Sequence, residues 1–83
     1  MNAEEARKLT AKNQERQEKI KKEIERGEKK IKSACENGRR RTDIYAGFVI
    51  DGAPQYPEVL DHFRKLGYEI KYVYGTNIFD ILW

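Results

Sequence analysis

Asp51 and the triplet Glu69-Ile70-Lys71 are the residues of this sequence that come nearest to a catalytic set. Two carboxylates can hold Mg2+ and a lysine beside them can neutralise an attacked phosphate, which is the chemistry of metal-dependent phosphodiester hydrolysis. Two facts weigh against it. Glu-x-Lys on an exposed strand face arises readily by chance, and the pairing derived below already gives Lys71 a neighbour in Asp80. His62, the only histidine, has no cysteine or paired carboxylate at metal-ligand spacing. Ser33, the only serine, lacks an evident base, and Cys35, the only cysteine, reads as a buried or half-buried structural thiol. The reading is therefore non-enzymatic, with no cofactor and no metal.

Binding chemistry is better furnished. Arg39, Arg40 and Arg41 follow Gly38 as three consecutive guanidinium forks, suited to phosphate oxygens, and Tyr45, Tyr56 and Tyr74 have rings that can stack on a base. The segment from Asp51 to Tyr56 precedes a helix N-terminus, where anions are favoured. No glycine-rich phosphate loop accompanies these residues. Without any ligand, the arginine run would still complement the negative end of a helix dipole.

These residues sit on a chain of two unlike halves. Residues 1–41 carry 14 Lys/Arg against 8 Asp/Glu, a balance of +6, whereas residues 42–83 carry 3 against 6, a balance of −3. Basic stretches draw nucleic acid, nucleotides or acidic proteins, although interleaved charge on a helix is also simply a solvated surface. One cysteine among 83 residues rules out an internal disulfide framework, and the apolar runs are far shorter than a membrane span requires. The expectation is one cytoplasmic domain over 1–83, with no membrane partner.

The first half predicts one helix over 3–36. It holds no proline, a single glycine and mostly good helix formers, with Glu preceding Lys by four at Glu4, Glu15, Glu18, Glu25 and Glu28. Gly38 supplies its left-handed stop. Ile20, Ile24, Ile31 and Ala34 form the docking stripe, and Gly27 within it predicts the close approach of another backbone. At 1.5 Å per residue the helix spans about 50 Å, more than an 83-residue globule can cover. The excess predicts a homo-oligomer formed through the N-terminal helix as a coiled coil, a solvated arm, or an arm that grips another macromolecule.

The second half, over 43–83, reads as β-α-β-β. Ile44–Ile50 is a strand with Asp51-Gly52-Ala53-Pro54 as its exit, and Pro57 opens a helix that stops at Gly67. A Gly75-Thr76 turn sets Tyr72 opposite Phe79, Ile70 opposite Ile81, Tyr68 opposite Trp83 and Lys71 opposite Asp80. One hairpin face is then wholly apolar, with Trp83 as a core residue. The fold class is α+β: a long N-terminal helix and a second helix on one face of a three-stranded mixed sheet, two layers, with a C-terminal hairpin.

A charged helix opening near Met-Asn-Ala-Glu-Glu-Ala-Arg-Lys-Leu-Thr and closing at Asn37-Gly38, a helix ending Leu66-Gly67-Tyr68 and a hairpin ending Ile81-Leu82-Trp83 make up a layout that resembles small phage-encoded proteins. The likeness spans most of the chain and carries no site residue across. Some such proteins antagonise host anti-phage defence, as oligomeric sponges for the cyclic nucleotide signals of systems such as CBASS or Thoeris, or as inhibitors of CRISPR nucleases. The resemblance thus implies sequestration of a cyclic nucleotide or ADP-ribose-type ligand, with Arg39, Arg40 and Arg41 supplying charge and Tyr45, Tyr56 or Tyr74 stacking. Its alternatives are an inhibitor or adaptor that docks on a host protein, and a nucleic-acid-binding protein.

Overall fold

The computed structural model describes residues 1–83. Helix α1 runs Ala3–Glu36. The Asn2 side chain caps it by accepting the Glu5 N–H at 2.8 Å, and Glu4 and Glu5 lie at the positive end of its dipole. It stops where the sequence demands: Gly38 takes φ 71°, its N–H bonds the Cys35 carbonyl, and the Arg39 N–H bonds that of Ala34. Those two bonds are the paired closure of a Schellman cap.

Ile20, Gly27, Ile31 and Ala34 are buried and Ile24 is partly so, which makes the expected stripe the docking face. Cys35 lies about 100° round the helix from Ala34 and is exposed, not buried as its residue type suggested.

Strand β1 is Arg41–Tyr45, β2 Val49–Ile50, β3 Ala53–Pro54, β4 Glu69–Tyr72 and β5 Ile78–Leu82, with α2 at Pro57–Lys65. The expected single strand Ile44–Ile50 is broken at Gly47, where φ is 83° and an added Cβ would lie 2.5 Å from that of Gln55. The chain leaves the main sheet there and folds β2 onto β3. Asp51 (φ 53°) and Gly52 (φ 78°) make the two-residue turn, both left-handed as a type I′ hairpin needs.

The main sheet has the order β1-β5-β4. Every neighbouring pair is antiparallel, so the sheet is antiparallel rather than mixed. β1 and β4 do run parallel to each other across the α2 crossover, but β5 inserts between them as a split β-α-β unit. β5 is the apolar strand best able to occupy the centre: Phe79 and Ile81 are buried, and Ile81 meets Thr42 on one side and Ile70 on the other. The β4–β5 register is the one derived from the sequence. Its loop is longer, since the Val73 N–H bonds the Ile78 carbonyl and residues 74–77 close the turn. A four-residue loop on the same centre leaves the pairing unchanged.

Both helices cover the same sheet face. Phe63 of α2 is the largest side chain fully enclosed, and it lies against the bare Cα of Gly27: a Cβ there would be 2.8 Å from Phe63 Cζ and 3.2 Å from Ile44 Cγ2. Gly27 therefore admits a ring and not, as expected, another backbone. Helix α2 ends in a second Schellman cap at Gly67 (φ 97°), whose flanking residues Phe63 and Tyr68 meet edge to face at 5.9 Å. Trp83 is only half-buried, against Tyr68 at 5.9 Å. It seals the rim of a core centred on Phe63, Ile44, Ile81 and Val59, which corrects its expected place in the core itself.

Candidate functional site

The three arginines do not converge. Arg39 and Arg41 line a groove of about 480 Å³ beside Lys30, Ser33 and Asn37, at the C-terminal end of α1. Arg40 lies instead by Gly67, Leu82 and Trp83, in a second groove that Arg41 also borders, and its carbonyl accepts the Trp83 N–H at 3.0 Å.

The groove is largely neutralised from within. Asp43 and Asp80 face each other across β1 and β5, an unfavourable like-charge pair, and each is compensated separately. Lys30 bonds Asp43, and Arg41 bonds Asp80 at 2.9 Å. Lys71, opposite Asp80 in register, pairs with Glu69 at 3.6 Å instead. The negative end of the α1 dipole adds negative potential to this region. Arg39 is its one cation without an ion pair.

The tyrosines lie elsewhere. Tyr45 closes β1 about 13 Å along the strand from Arg41. Tyr56 is buried at the N-cap of α2, and Tyr74 is 95% exposed on the 74–77 loop. The Asp51, Glu69 and Lys71 set is also dispersed. Asp51 sits in the β2–β3 turn beyond the Tyr45 end of β1, whereas Glu69 is level with Leu82 and Arg41 at the other end. His62 flanks α2, its Nε2 3.4 Å from Glu28 of α1.

What the fold does assemble is a notch between the projecting part of α1 and the β2–β3 hairpin. Leu9, Lys12, Asn13, Arg16 and Lys19 line a hollow of about 430 Å³ over Gln55 and Tyr56. A second hollow of about 240 Å³ adjoins it, sharing Lys19, Gln55 and Tyr56 and reaching Lys22, Tyr45 and Phe48. The hairpin is held over this end by the Tyr56 N–H to the Ala46 carbonyl and by the Val49 N–H to Asn77 Oδ1 at 3.0 Å.

Arg16 fixes the helix side. Its guanidinium grips both carboxylate oxygens of Glu58, Nη2 to Oε1 being 3.0 Å, and Nη2 also reaches the Gln55 carbonyl at 3.3 Å. It stands over the Tyr56 ring at 5.5 Å from the centroid. The hydrogen bonds from Arg16 hold the Glu58 carboxyl below the usual carboxylate range, and those to Glu58 raise the Arg16 pKa further. Both side chains are about two-fifths exposed, so solvent screens the pair. It positions more than it stabilises.

Sequence reasoning missed this notch. Asp51-Gly52 was the available signal, because a hairpin turned there carries Ile50 in its two-residue first strand and Phe48 just before it out to the exposed end of the molecule. Nothing in a helix of interleaved charge distinguished Arg16 from its neighbours. No protein-family profile matches this chain, and no curated protein or solved structure is detectably similar to it.

Proposed function

We propose that this chain is a non-enzymatic docking protein that binds another protein through the end of the molecule where α1 projects past the β2–β3 hairpin. One observation carries the reading. Phe48 and Ile50 are 63% and 73% exposed on the hairpin, with Tyr74 and Ile78 exposed at the neighbouring end of the main sheet. Large apolar side chains gathered at one exposed end mark interaction surfaces. The reading belongs to the inhibitor or adaptor class among the roles implied by the phage-like layout, with a host defence protein as target. A photo-crosslinking residue at Phe48 tests it: a discrete adduct with another protein is expected in the cell, and none from the same residue at Lys65 on the far flank of α2.

A second reading, sequestration of an anionic nucleotide, draws on the groove beside Arg39, Arg41 and Lys30. It requires a ligand able to displace Asp43 and Asp80 from their cations, or a second chain that completes the groove. Self-association through α1 belongs to this reading. Light scattering at micromolar concentration and a melting-point shift with cyclic nucleotides are its tests.

A further inference from the structure

The notch has a chemical character that selects a partner. On its helix wall Leu9, Lys12, Arg16 and Lys19 recur at three- and four-residue spacing, so they share one face of α1. Lys22 continues the basic wall into the smaller hollow, whose opposite side is Phe48 and Tyr45. Glu15 and Glu23 are the acidic residues of the lining: Glu15 lies 3.5 Å from Lys19, and Glu23 lies 3.2 Å from Arg26 through Oε1 while its buried Oε2 has no hydrogen-bond partner. Glu58 occupies Arg16. Lys12 and Lys22 are left without ion-pair partners, one at each end of the notch. The N-terminal end of the nine-residue α2, which begins next to Tyr56, adds positive potential at the floor.

We infer that this notch seats an acidic segment of the partner protein, with an aliphatic or aromatic residue set between carboxylates. The inference rests on the docking reading and specifies the partner's chemistry. Lys12 and Lys22 are ten residues apart on a helix, about 15 Å, which an extended segment covers in four to five residues. Carboxylates at that spacing meet the two free ammonium groups while the apolar residue between them packs on Phe48 and the aromatic floor. A basic segment would meet four cations, and the one unpaired carboxylate oxygen of the lining, Glu23 Oε2, is buried out of its reach. Like-charge juxtaposition of that kind excludes partners as effectively as contacts attract them.

The test is a random-sequence peptide array probed with the full-length protein. Bound peptides should be enriched in Asp and Glu flanking an aliphatic or aromatic residue. The tightest of them, measured by fluorescence anisotropy, should bind about tenfold or more weakly to Lys12→Glu/Lys22→Glu, and the difference should shrink at high salt. Both lysines are exposed and unpaired, so circular dichroism should show this variant folded. Phe48→Ala should weaken the same peptide independently. Enrichment in Lys and Arg, no charge bias, or indifference to the charge reversal overturns the inference. If such peptides still depend on Phe48, the docking reading survives without it. An array with no binders, alongside an adduct at Phe48, also overturns the acidic-segment inference alone, whereas an empty array and no adduct overturn both.

Discussion

Arg16 of α1 and Glu58 in the first turn of α2 form a two-pronged ion pair across 42 positions of sequence. Beyond it towards the N-terminus, residues 1–15 are all exposed, and the molecule measures 54 × 27 × 18 Å. Its radius of gyration is 15.2 Å, against about 12 Å for a compact chain of this length. The pair thus marks the point where α1 stops being part of the core and becomes an arm.

Replacing Arg16 by Ala should free that arm without unfolding the body. Amide hydrogen exchange over residues 3–19 should quicken, while residues 27–34 keep their protection, because Ile31 and Ala34 stay packed. The melting temperature should fall only slightly, as exposed ion pairs contribute little.

The same contact makes a signed prediction for pH. The carboxyl of Glu58 titrates below its unfolded value, so its contribution is present above the unfolded pKa and is lost as pH falls through the lowered folded one. Acidification from neutrality should therefore leave the arm docked until pH has dropped below the ordinary glutamate pKa of about 4.3. Glu58→Gln should remove that acid-dependent step in hydrogen exchange, whereas Glu4→Gln, in a solvated pair on the arm, should not.

Gly27→Ala should destabilise, although Ala gains about 1 kcal/mol of helix propensity over Gly. The new methyl would have to displace Phe63, which is completely buried and cannot yield freely. Overpacking of this kind costs about 1–3 kcal/mol, so urea denaturation should show a net loss. A gain would mean that Phe63 is free to shift.

Phe63→Ala should cost about 3–5 kcal/mol, enough to exhaust much of the stability of so small a domain. Trp83→Ala should cost less, since its indole covers the rim of the core beside Tyr68. Denaturation midpoints of the two variants order the two positions directly.

The sequence was legible wherever local chemistry decided the outcome. Asn37-Gly38 and Leu66-Gly67 stop their helices because only a left-handed residue closes those carbonyls, and the β4–β5 register follows from alternation that a loop of two or four residues serves equally. What escaped depends on contacts between distant residues. The break at Gly47 lies inside a run whose composition is uniformly strand-like, and its cause is the approach of Gln55. The central place of β5 depends on which strand has both edges to satisfy. Arg39 to Arg41 looked like one site because they are adjacent, but the chain bends at Arg40 before β1 begins, which sets Arg39 beside Lys30 and Arg40 beside Trp83, with Arg41 bordering both grooves. Arg16 is one of seven cations before Glu23, and only the fold selects it.

The central claim, that the hairpin end is a docking surface, is tested most directly by quantitative co-purification of the partner identified through the Phe48 adduct, comparing wild type with Phe48→Asp/Ile50→Asp. Both residues are well exposed, so the variant should keep its melting temperature. Apolar anchors at an interface contribute about 2 kcal/mol or more, so the account predicts at least a thirtyfold loss of affinity. Undiminished binding by a folded Phe48→Asp/Ile50→Asp protein would contradict it.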